Sequence, residues 1–432
     1  MPTDDAYTTC LNAMFAMRRF GIVLGLSTIK NILDGLGNPQ LTFPTIHIAG
    51  TNGKGSVASA LATILQRAGY RVGLYTSPHL IRFNERICVD GQPIEDDAVV
   101  SAWEAVKAVH HGEREPTFFE FSTAMAFHEF GRRQVDYAVI ETGMGGRMDA
   151  TNVITPVVSI ITNVSLEHKA YLGKTIAAIA GEKAGIIKPG VPVVTGVSQK
   201  SVKAVIQKTA ADREAPLFMK GHDFQVRRTG NDRFAYSGID HRWKGLRTGL
   251  MGGHQVDNAA LTVAACELLM RSPTRLSWEH IQSGLIQNHW PGRLEVARRQ
   301  PFVILDGAHN LMAARRLGRF LKESLAGRRI TLVAGILDDK PYRAILKDLV
   351  TPCNRLIVTR ARIDRSLPPA TIEAAARPLI ADIQIIEDVG EAVRHAIATS
   401  DPEDAVCIAG SLYVVGEAKA ALEASGESLF QV

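Results

Sequence analysis

Residues 50–56, with the sequence GTNGKGS, combine three glycines and a lysine in a spacing typical of phosphate-binding loops. They follow an apolar run that ends at Ala49 and precede a stretch whose apolar residues recur at helical spacing. Glycines allow the backbone to approach phosphate oxygens, and the first turn of a helix offers unpaired N–H groups. An ordinary glycine-rich turn is the plainer alternative, but the strand–loop–helix context favours a nucleotide-binding loop in which Lys54 reaches the outer phosphates.

The loop lacks the metal ligand that loops of this type normally provide. A Ser or Thr usually follows the lysine and holds Mg²⁺, whereas here Gly55 follows Lys54 and Ser56 comes one position later. Open α/β sheets place their ligands at the carboxyl ends of the strands, where three later segments bring candidate ligands. These are Ser77 in TSPH, Glu141 in IETG and His168 in LEHK. Imidazole is a less usual Mg²⁺ ligand than carboxylate, and each residue alone could be a capping group, but together they favour a Mg²⁺ site.

Composition and charge limit the class of protein. With 432 residues, 46% hydrophobic and 22% charged, the chain is long enough for two or three ordinary globular domains. Its net charge of +5 is too small and dispersed to indicate nucleic acid, although anionic small molecules fit. The five cysteines form no C-x-x-C pair, which favours a reducing compartment over a disulfide framework or a zinc site. We find no signal-peptide pattern and no long apolar run, and expect a cytoplasmic protein without a membrane partner.

Short β-branched runs alternate with helical patterns, which predicts an α/β fold with a doubly wound, mainly parallel sheet. The runs in the first part are TIHIAG, RVGLYT, DYAVIETG, PVVSIITNV and VPVVTG. Polar and apolar residues alternate from about Phe224 to Leu250, which predicts a small antiparallel sheet. A second series has the strands FVILDGAH, ITLVAGIL, NRLIVTR, IQIIED and AVCIAG. The Pro291–Gly292 pair predicts a boundary between a P-loop domain over 1–292 and a smaller Rossmann-like domain over 293–432.

Seven segments resemble, in order, the folylpolyglutamate synthase / dihydrofolate synthase family within the Mur-ligase-like enzymes. They are HIAGTNGKGS, LYTSPHLIRFNERI, ETGMGGRMDATN, LEHKAYLGKTIAAIAGEKAGIIK, GGHQVDNAA, PGRLE and DGAHN. Because they run through most of the chain and several are long, the chain is identified as a member of this family, of the bifunctional bacterial type. The resemblance implies an ATP-dependent ligase that joins glutamate to a pteroate or folate carboxylate through an acyl phosphate.

The resemblance also implies a set of ATP contacts. The matching residues are Gly53, Lys54, Gly55 and Ser56 in the loop, Asn258 in HQVDNAA, Arg293 in PGR, and Asp306 and His309 in DGAHN. The last motif has a simpler alternative, because Asp306 or Asn310 after a strand could only cap the next helix. Lys54, His168, Lys183 and Arg293 are the residues to which the resemblance gives a catalytic role.

Two Mg²⁺ ions are implied in the same way. Ser77 and Glu141 match ligands of one ion, and His168 matches a ligand of the second. Lys183 in GEKAGIIK matches a lysine that carries a carbamate in similar enzymes and helps to hold the second ion, whereas residue type alone would make it a surface lysine on a helix. Many relatives have Asp-His where this chain has Glu167-His168, which affects the positioning of the imidazole but keeps the ligand.

The acceptor pocket is indicated by two segments. PTFFEF resembles the segment that cradles the pterin in bifunctional relatives, with Thr117 and Phe119 as the candidate contacts. Leu24 and Gly25 resemble an N-terminal loop near the same pocket, within the first domain. Aromatic residues at this spacing are more often plain core. The substrates implied are ATP, L-glutamate and dihydropteroate or reduced folates, used by a monomeric enzyme.

Three other functions stay open at this point. The enzyme could be a folylpolyglutamate synthase only, or a Mur-type ligase that adds an amino acid to a nucleotide-linked peptidoglycan precursor. It could also be a P-loop switch or scaffold that binds nucleotide without ligation. The K-G-S loop argues against the Mur type, whose loops usually read K-[ST]-[ST]. A guanine-nucleotide switch is not favoured either, because the sequence has no N-K-x-D motif at a strand end.

Overall fold

The computed structural model of the chain describes residues 4–17, 21, 23, 25–111, 114–230 and 232–426. The chain forms two compact units, the first comprising Met1–Thr248 with Gln255–Asn288 and the second Gly249–His254 with His289–Val432. The division of the sequence into domains at residues 292 and 293 stays a prediction.

The first unit is built on an eight-stranded sheet in the order β4-β3-β2-β5-β1-β6-β7-β8. Its strands are β1 (Thr45–Ala49), β2 (Val72–Tyr75), β3 (Ile87–Val89), β4 (Gln92–Pro93), β5 (Tyr137–Glu141), β6 (Val158–Ile161), β7 (Val193–Thr195) and β8 (Leu217–Met219). Six neighbouring strands of this sheet pair in parallel, in the order β2, β5, β1, β6, β7 and β8. β3 and β4 add an antiparallel edge. All five strands predicted for this region are present, which confirms the mainly parallel sheet. The central strands β1 and β6 are buried at every position, as expected of a sheet covered on both faces.

Ten α-helices accompany the strands of the first unit in the described part of the chain. They are α1 (Asp4–Ala16), α2 (Ser27–Gly35), α3 (Lys54–Arg67), α4 (Asp96–Val109), α5 (Phe118–Arg132), α6 (Lys169–Leu172), α7 (Ile176–Ala184), α8 (Lys200–Asp212), α9 (Gly253–Met270) and α10 (Trp278–Gln287). One apolar cluster joins α1, α2, α4 and α5 to the sheet, and a second joins α7 and α8 to it. None of the described helices has both the length and the hydropathy required to cross a bilayer.

A three-stranded antiparallel sheet follows α8, as the alternating sequence predicted. Its strands β9 (Gln225–Arg228), β10 (Arg233–Ser237) and β11 (Arg242–Arg247) lie in the order β11-β10-β9. The buried carboxylate of Glu267 on α9 attaches it to the unit, because it accepts hydrogen bonds from the Tyr236 hydroxyl (2.6 Å) and from the N–H groups of Ile239 (2.9 Å) and His241 (2.7 Å). The Trp243 ring also stacks on Trp278 of α10, with 4.8 Å between centroids.

The second unit has its own six-stranded sheet in the order β12-β13-β17-β14-β15-β16. Its elements are β12 (Arg293–Arg298), β13 (Phe302–Asp306), α11 (Leu311–Ser324), β14 (Ile330–Ala334), α12 (Tyr342–Val350), β15 (Arg355–Val358), α13 (Pro369–Ala376), β16 (Ile383–Ile385), α14 (Val389–Ala398), β17 (Ala405–Ala409) and α15 (Leu412–Ala424). The five predicted strands are β13 to β17 and pair in parallel. β12 is an antiparallel edge strand that the sequence analysis did not predict.

Replacing Glu267 with Gln should destabilise the first unit. The Tyr236 hydroxyl and the backbone N–H groups that donate to the carboxylate would then face the NH₂ group of the amide, which is itself a donor. The lost hydrogen bonds should lower the free energy of unfolding by about 2–3 kcal/mol. Urea denaturation followed by tryptophan fluorescence measures the change, with Glu104→Gln on the exposed face of α4 as the matched control. Equal unfolding free energies for the two variants would contradict the anchoring role of Glu267.

Candidate active site

The loop after β1 has a backbone conformation that requires glycine at two positions. Gly50 has φ +151° and Gly53 has φ +86°, in the region where side chains are strained. A Cβ on Gly50 would lie 1.9 Å from the Thr162 hydroxyl, and one on Gly53 would lie 2.5 Å from Asn258 Oδ1. The structure therefore brings Asn258, which matches an ATP contact, directly against the loop.

The end of β6 braces this loop from the other side. Asn163 donates to the Asn52 carbonyl (2.6 Å) and accepts from the Asn52 N–H (3.1 Å), while the Thr162 hydroxyl donates to the same carbonyl (2.8 Å). The sequence analysis did not single out Thr162 or Asn163, although a polar pair at the end of a buried strand is a usable signal. Because α3 begins at Lys54 without a side-chain cap, the first N–H groups of the helix can bind an anion held in the loop.

Two lysines meet at the carbonyl oxygen of Gly50. Lys54 Nζ donates to it at 3.2 Å and Lys183 Nζ donates to it at 3.0 Å. Each lysine also has a carboxylate beside it, with Glu141 Oε1 3.8 Å from Lys54 Nζ and Glu167 Oε1 2.7 Å from Lys183 Nζ. The structure thus brings together the ends of β1, β5 and β6 and the last turn of α7.

The position of Lys183 differs from what residue type alone indicated. Its side chain is 1% exposed, so the interpretation as a surface lysine was wrong. Burial lowers the pKa of Lys183, and the neighbouring Glu167 carboxylate opposes that shift. Burial alone would raise the pKa of Glu167, but the charges of Lys183 and Lys54 outweigh it and lower that pKa. Glu167, which the sequence analysis treated only as a neighbour of His168, is therefore part of the charged cluster.

Hydroxyl and carboxylate oxygens accompany the lysines. The N–H of Ser77 donates to Glu141 Oε2 at 3.2 Å, so the two predicted ligands of one Mg²⁺ are adjacent. The hydroxyls of Ser56 and Thr142 are buried and have no hydrogen-bond partner among the described residues. Buried hydroxyls are normally satisfied, so these two atoms fit a ligand with oxygen or metal atoms at the loop.

His168 stands in a strained backbone conformation immediately before α6. Its φ of +43° and ψ of +42° are left-handed, which is uncommon for a residue with a side chain. Such strain concentrates at functional sites, where the surrounding structure maintains it. The residue is exposed and directly follows Glu167. Its role as a metal ligand stays a prediction.

The acceptor-pocket predictions have different outcomes. Thr117 is the N-cap of α5, where its hydroxyl donates to Glu120 Oε2 (2.8 Å) and accepts from the Glu120 N–H (3.2 Å). The Phe119 ring lies against Gly143, where an added Cβ would come within 2.5 Å of the ring. Gly25 has φ +155°, and Leu24 lies outside the described residues. Phe119 is thus next to the loop that follows Glu141, while the contact of Thr117 with a substrate stays a prediction.

Asp149 is a buried residue that the sequence analysis quoted within a motif but did not assign. It accepts hydrogen bonds from the Met144 N–H (2.8 Å) and from the N–H (3.1 Å) and hydroxyl (2.6 Å) of Thr151. Burial raises its pKa, and these hydrogen bonds oppose the shift. Asp149 therefore closes the glycine-rich loop that begins after Glu141.

The remaining predicted ATP contacts form a cluster within the second unit. Asp306 accepts from the N–H groups of Leu294 (2.9 Å) and Ala308 (3.0 Å), and burial raises its pKa to about 6 against the opposing charge of Arg293. A Cβ on Gly307 would lie 2.3 Å from Arg293 Nη1, so the glycine makes room for the guanidinium. His309 Nδ1 contacts the Gly307 carbonyl at 2.8 Å.

Asn310 caps the helix that follows this motif. Its Oδ1 accepts from the Ala313 N–H at 3.0 Å at the start of α11. The capping interpretation of DGAHN is thus correct for Asn310, whereas the Asp306 side chain bonds to the neighbouring strand and turn.

The described residues contain no group of three or more His, Cys, Asp or Glu side chains that would hold a metal alone. Mg²⁺ is usually bound by one or two carboxylates together with waters and substrate phosphates, so a full protein cage is not required. The adjacent Ser77 and Glu141 and the unpartnered Ser56 hydroxyl fit such a partial site.

Comparison with known proteins identifies the family of the chain. Residues 48–266 match the Mur ligase middle domain, and residues 292–412 match the Mur ligase, glutamate ligase domain. The dihydrofolate synthase/folylpolyglutamate synthase of Bacillus subtilis is 37% identical over 432 residues, covering 97% of this chain and 99% of that protein.

Two solved structures are similar over nearly the whole chain. Mycobacterium tuberculosis folylpolyglutamate synthase complexed with ADP and AMPPCP has a TM-score of 0.88 at 32% identity, covering 96% of this chain and 99% of that one. E. coli FolC in complex with DHPP and ADP has a TM-score of 0.89 at 29% identity, covering 96% and 98%. The chain therefore belongs to the dihydrofolate synthase/folylpolyglutamate synthase family of the Mur ligases.

Proposed function

We propose that this protein is an ATP-dependent ligase that forms an amide between glutamate and the carboxylate of a pteroate or folate. ATP phosphorylates the acceptor carboxylate to give an acyl phosphate and ADP, and the glutamate amine then displaces phosphate. The observation that carries the proposal is the meeting of Lys54 and Lys183 at the Gly50 carbonyl, beside Glu141, in a chain of this family. The charge of Lys54 at the loop fits phosphoryl transfer, which depends on positioning and on charge neutralisation.

The residues of the loop act on the phosphates by position and charge. The N–H groups at the start of α3 and the ammonium group of Lys54 bind the outer phosphate oxygens. Lys54 is 15% exposed and needs to give up its contact with Gly50 O to follow the phosphates. The Ser56 hydroxyl and Asn258, which lies against Gly53, complete the contacts to ATP in this unit.

One Mg²⁺ ion would be held by Ser77 and Glu141, and a second by His168 and Lys183. When bound, Mg²⁺ neutralises phosphate charge and stabilises the transferring group. Lys183 would serve as a ligand once CO₂ adds to its neutral amine, which releases a proton and leaves a carbamate with two oxygens. Burial favours that neutral form by lowering the pKa of Lys183. Arg293, Asp306 and His309 are proposed ATP contacts of the second unit.

The acceptor is proposed to be dihydropteroate or a reduced folate, used by a monomeric cytoplasmic enzyme with both activities. Phe119, beside Gly143, would face the pterin, with Thr117 and Gly25 near it. The Mur-type alternative is not favoured, because two curated relatives that match at least 91% of this chain are a dihydrofolate synthase/folylpolyglutamate synthase and a folylpolyglutamate synthase. Purified protein assayed with dihydropteroate and with tetrahydrofolate separates a bifunctional enzyme from a folylpolyglutamate synthase.

Replacing Lys54 with Ala should abolish ligation without unfolding the protein. The loop lysine neutralises phosphate charge, while its loss from the ligand-free site removes only a 3.2 Å contact to Gly50 O and a 3.8 Å ion pair. Phosphate release that requires both glutamate and a folate is the readout, with Lys208→Ala on the exposed face of α8 as control. Parental turnover in Lys54→Ala would remove the phosphate-loop assignment, and no glutamate-dependent release by the parent would remove the proposed function.

Lys183→Ala should lose activity by on the order of 100-fold or more, because a second-metal ligand is missing. A short carboxylic acid such as acetate should restore part of the activity by occupying the vacated space as an oxygen ligand. Lys183→Arg should not be rescued, since it fills the space and adds positive charge. Near-parental turnover of Lys183→Ala, or a mass spectrum of the parent without the added CO₂, would argue against the carbamate.

The charge of Lys183 can be tested without ligands through the pH dependence of stability. Lys183 has a pKa near 10.5 in the unfolded chain and a lower pKa in the folded protein. Between these two pKa values the unfolded chain binds more protons, so the free energy of unfolding rises with pH. Glu167→Gln removes the charge that raises the folded pKa, so this variant should be destabilised by about 3 kcal/mol at neutral pH and recover as pH approaches 10.

Chemical denaturation at pH 7 to 10 in CO₂-free buffer measures this difference between parent and variant. The control is Glu182→Gln, on the same helix as Lys183, which removes the ion pair of Glu182 with the exposed Arg147. Its difference in unfolding free energy from the parent should not change with pH. A flat difference for Glu167→Gln as well would show that Lys183 is not held as a buried, paired ammonium.

A further inference from the structure

His47 is a buried polar residue on the central strand β1 to which the mechanism above gives no role. Its side chain is 0% exposed, and Nε2 lies 2.8 Å from the Thr151 hydroxyl oxygen. Nδ1 is also buried and has no hydrogen-bond partner among the described residues. A buried ring nitrogen without a hydrogen-bond partner destabilises the folded state. A buried histidine of this kind therefore calls for an explanation, which its single hydrogen bond can provide.

The hydrogen bonds from His47 have a fixed direction. The Thr151 hydroxyl has one hydrogen, which it donates to Asp149 Oδ1 at 2.6 Å, so its oxygen accepts from His47 Nε2–H. Burial lowers the pKa of His47 to about 3, so the ring is neutral and carries its hydrogen on Nε2. The chain continues to the other oxygen of Asp149, which accepts from the Met144 N–H at 2.8 Å.

The loop at the end of this chain connects two parts of the proposed site. It starts after Glu141 at the end of β5, and it packs on the last turn of α7, where the Arg147 N–H donates to the Glu182 carbonyl at 2.8 Å. A Cβ on Gly146 would lie 2.8 Å from the Glu182 carbonyl and 3.0 Å from that of Lys183. The loop therefore lies between the strand that carries Glu141 and the helix that carries Lys183.

We propose that His47 is a positioning residue that acts through Thr151 and Asp149 to fix the loop Gly143–Asp149, and thereby the spacing of Glu141 and Lys183. The inference rests on the proposed function, because it assumes that these two residues bind the metal ions. His47 touches neither ATP nor the acceptor in this role. It transmits the rigid position of the central strand to a glycine-rich loop that has little stiffness of its own.

Thr151→Val tests the chain at its middle, since it keeps the shape and removes the hydroxyl. In the ligand-free protein the Gly143 and Met144 amides, which both hydrogen-bond to Asp149, should exchange with solvent about tenfold faster, as expected for the loss of one buried hydrogen bond. The half-saturating Mg²⁺ concentration for ligation should rise about tenfold, in the range typical of residues that orient metal ligands. Thr151→Ser, which restores a hydroxyl, should return both values toward those of the parent.

Two further variants keep the test decisive if Thr151→Val folds poorly. His47→Gln places an N–H donor near the former Nε2 and should behave like the parent, whereas His47→Leu should behave like Thr151→Val. Thr45→Val is the matched control, because Thr45 is buried on the same strand and its hydroxyl has no partner among the described residues.

The outcomes separate this inference from the proposed function. If the parent ligates and both Thr151→Val and His47→Leu match Thr45→Val in amide exchange and Mg²⁺ dependence, the positioning role is refuted. If the exchange of Gly143 and Met144 rises but the Mg²⁺ dependence does not, the chain orders the loop without serving the metal, which also overturns the proposal. If the parent does not ligate at all, the proposed function itself is refuted.

Discussion

The carbonyl oxygen of Gly50 is the point on which the site of the first unit depends. In the ligand-free structure it accepts hydrogen bonds from both Lys54 and Lys183, which places the two lysine side-chain nitrogens close together. Glu141 and Glu167 stand beside them at 3.8 Å and 2.7 Å. Charges interact more strongly where burial reduces their contact with water, so each lysine of the ligand-free site is stabilised by the carboxylate beside it.

The pairing of the lysines with carboxylates bears on the proposed role of metal ions. ATP brings several negative charges into a cluster whose two lysines are already balanced by two carboxylates. Additional positive charge would favour the binding of a polyphosphate, and in our proposal Mg²⁺ at Glu141 and the adjacent Ser77 would supply it. In this proposal, a phosphate loop without a hydroxyl directly after its lysine takes its metal ligands from neighbouring strands.

The charged set relies in turn on backbone geometry. Gly50 and Gly53 adopt positive φ angles and have other side chains pressed against them, so the loop can be made only from residues without a Cβ. Asn163 and Thr162 fix its middle from β6, and Asn258 closes it from α9. Rigid strands and hydrogen-bonded side chains thus hold a segment that glycine alone would leave adaptable.

The sequence by itself determined the elements and the order of the chemical groups along the strands. Periodicity and strand-end residues predicted the parallel sheets, the antiparallel insertion and the loop with Lys54, because these signals lie within a few neighbouring residues. Only the tertiary structure decided that Lys183 is buried on the carbonyl of Gly50, 133 positions away, that Glu167 pairs with it, and that β12 runs antiparallel. Strand order and helix packing set those partners, and no local pattern in the chain records which strand ends will meet.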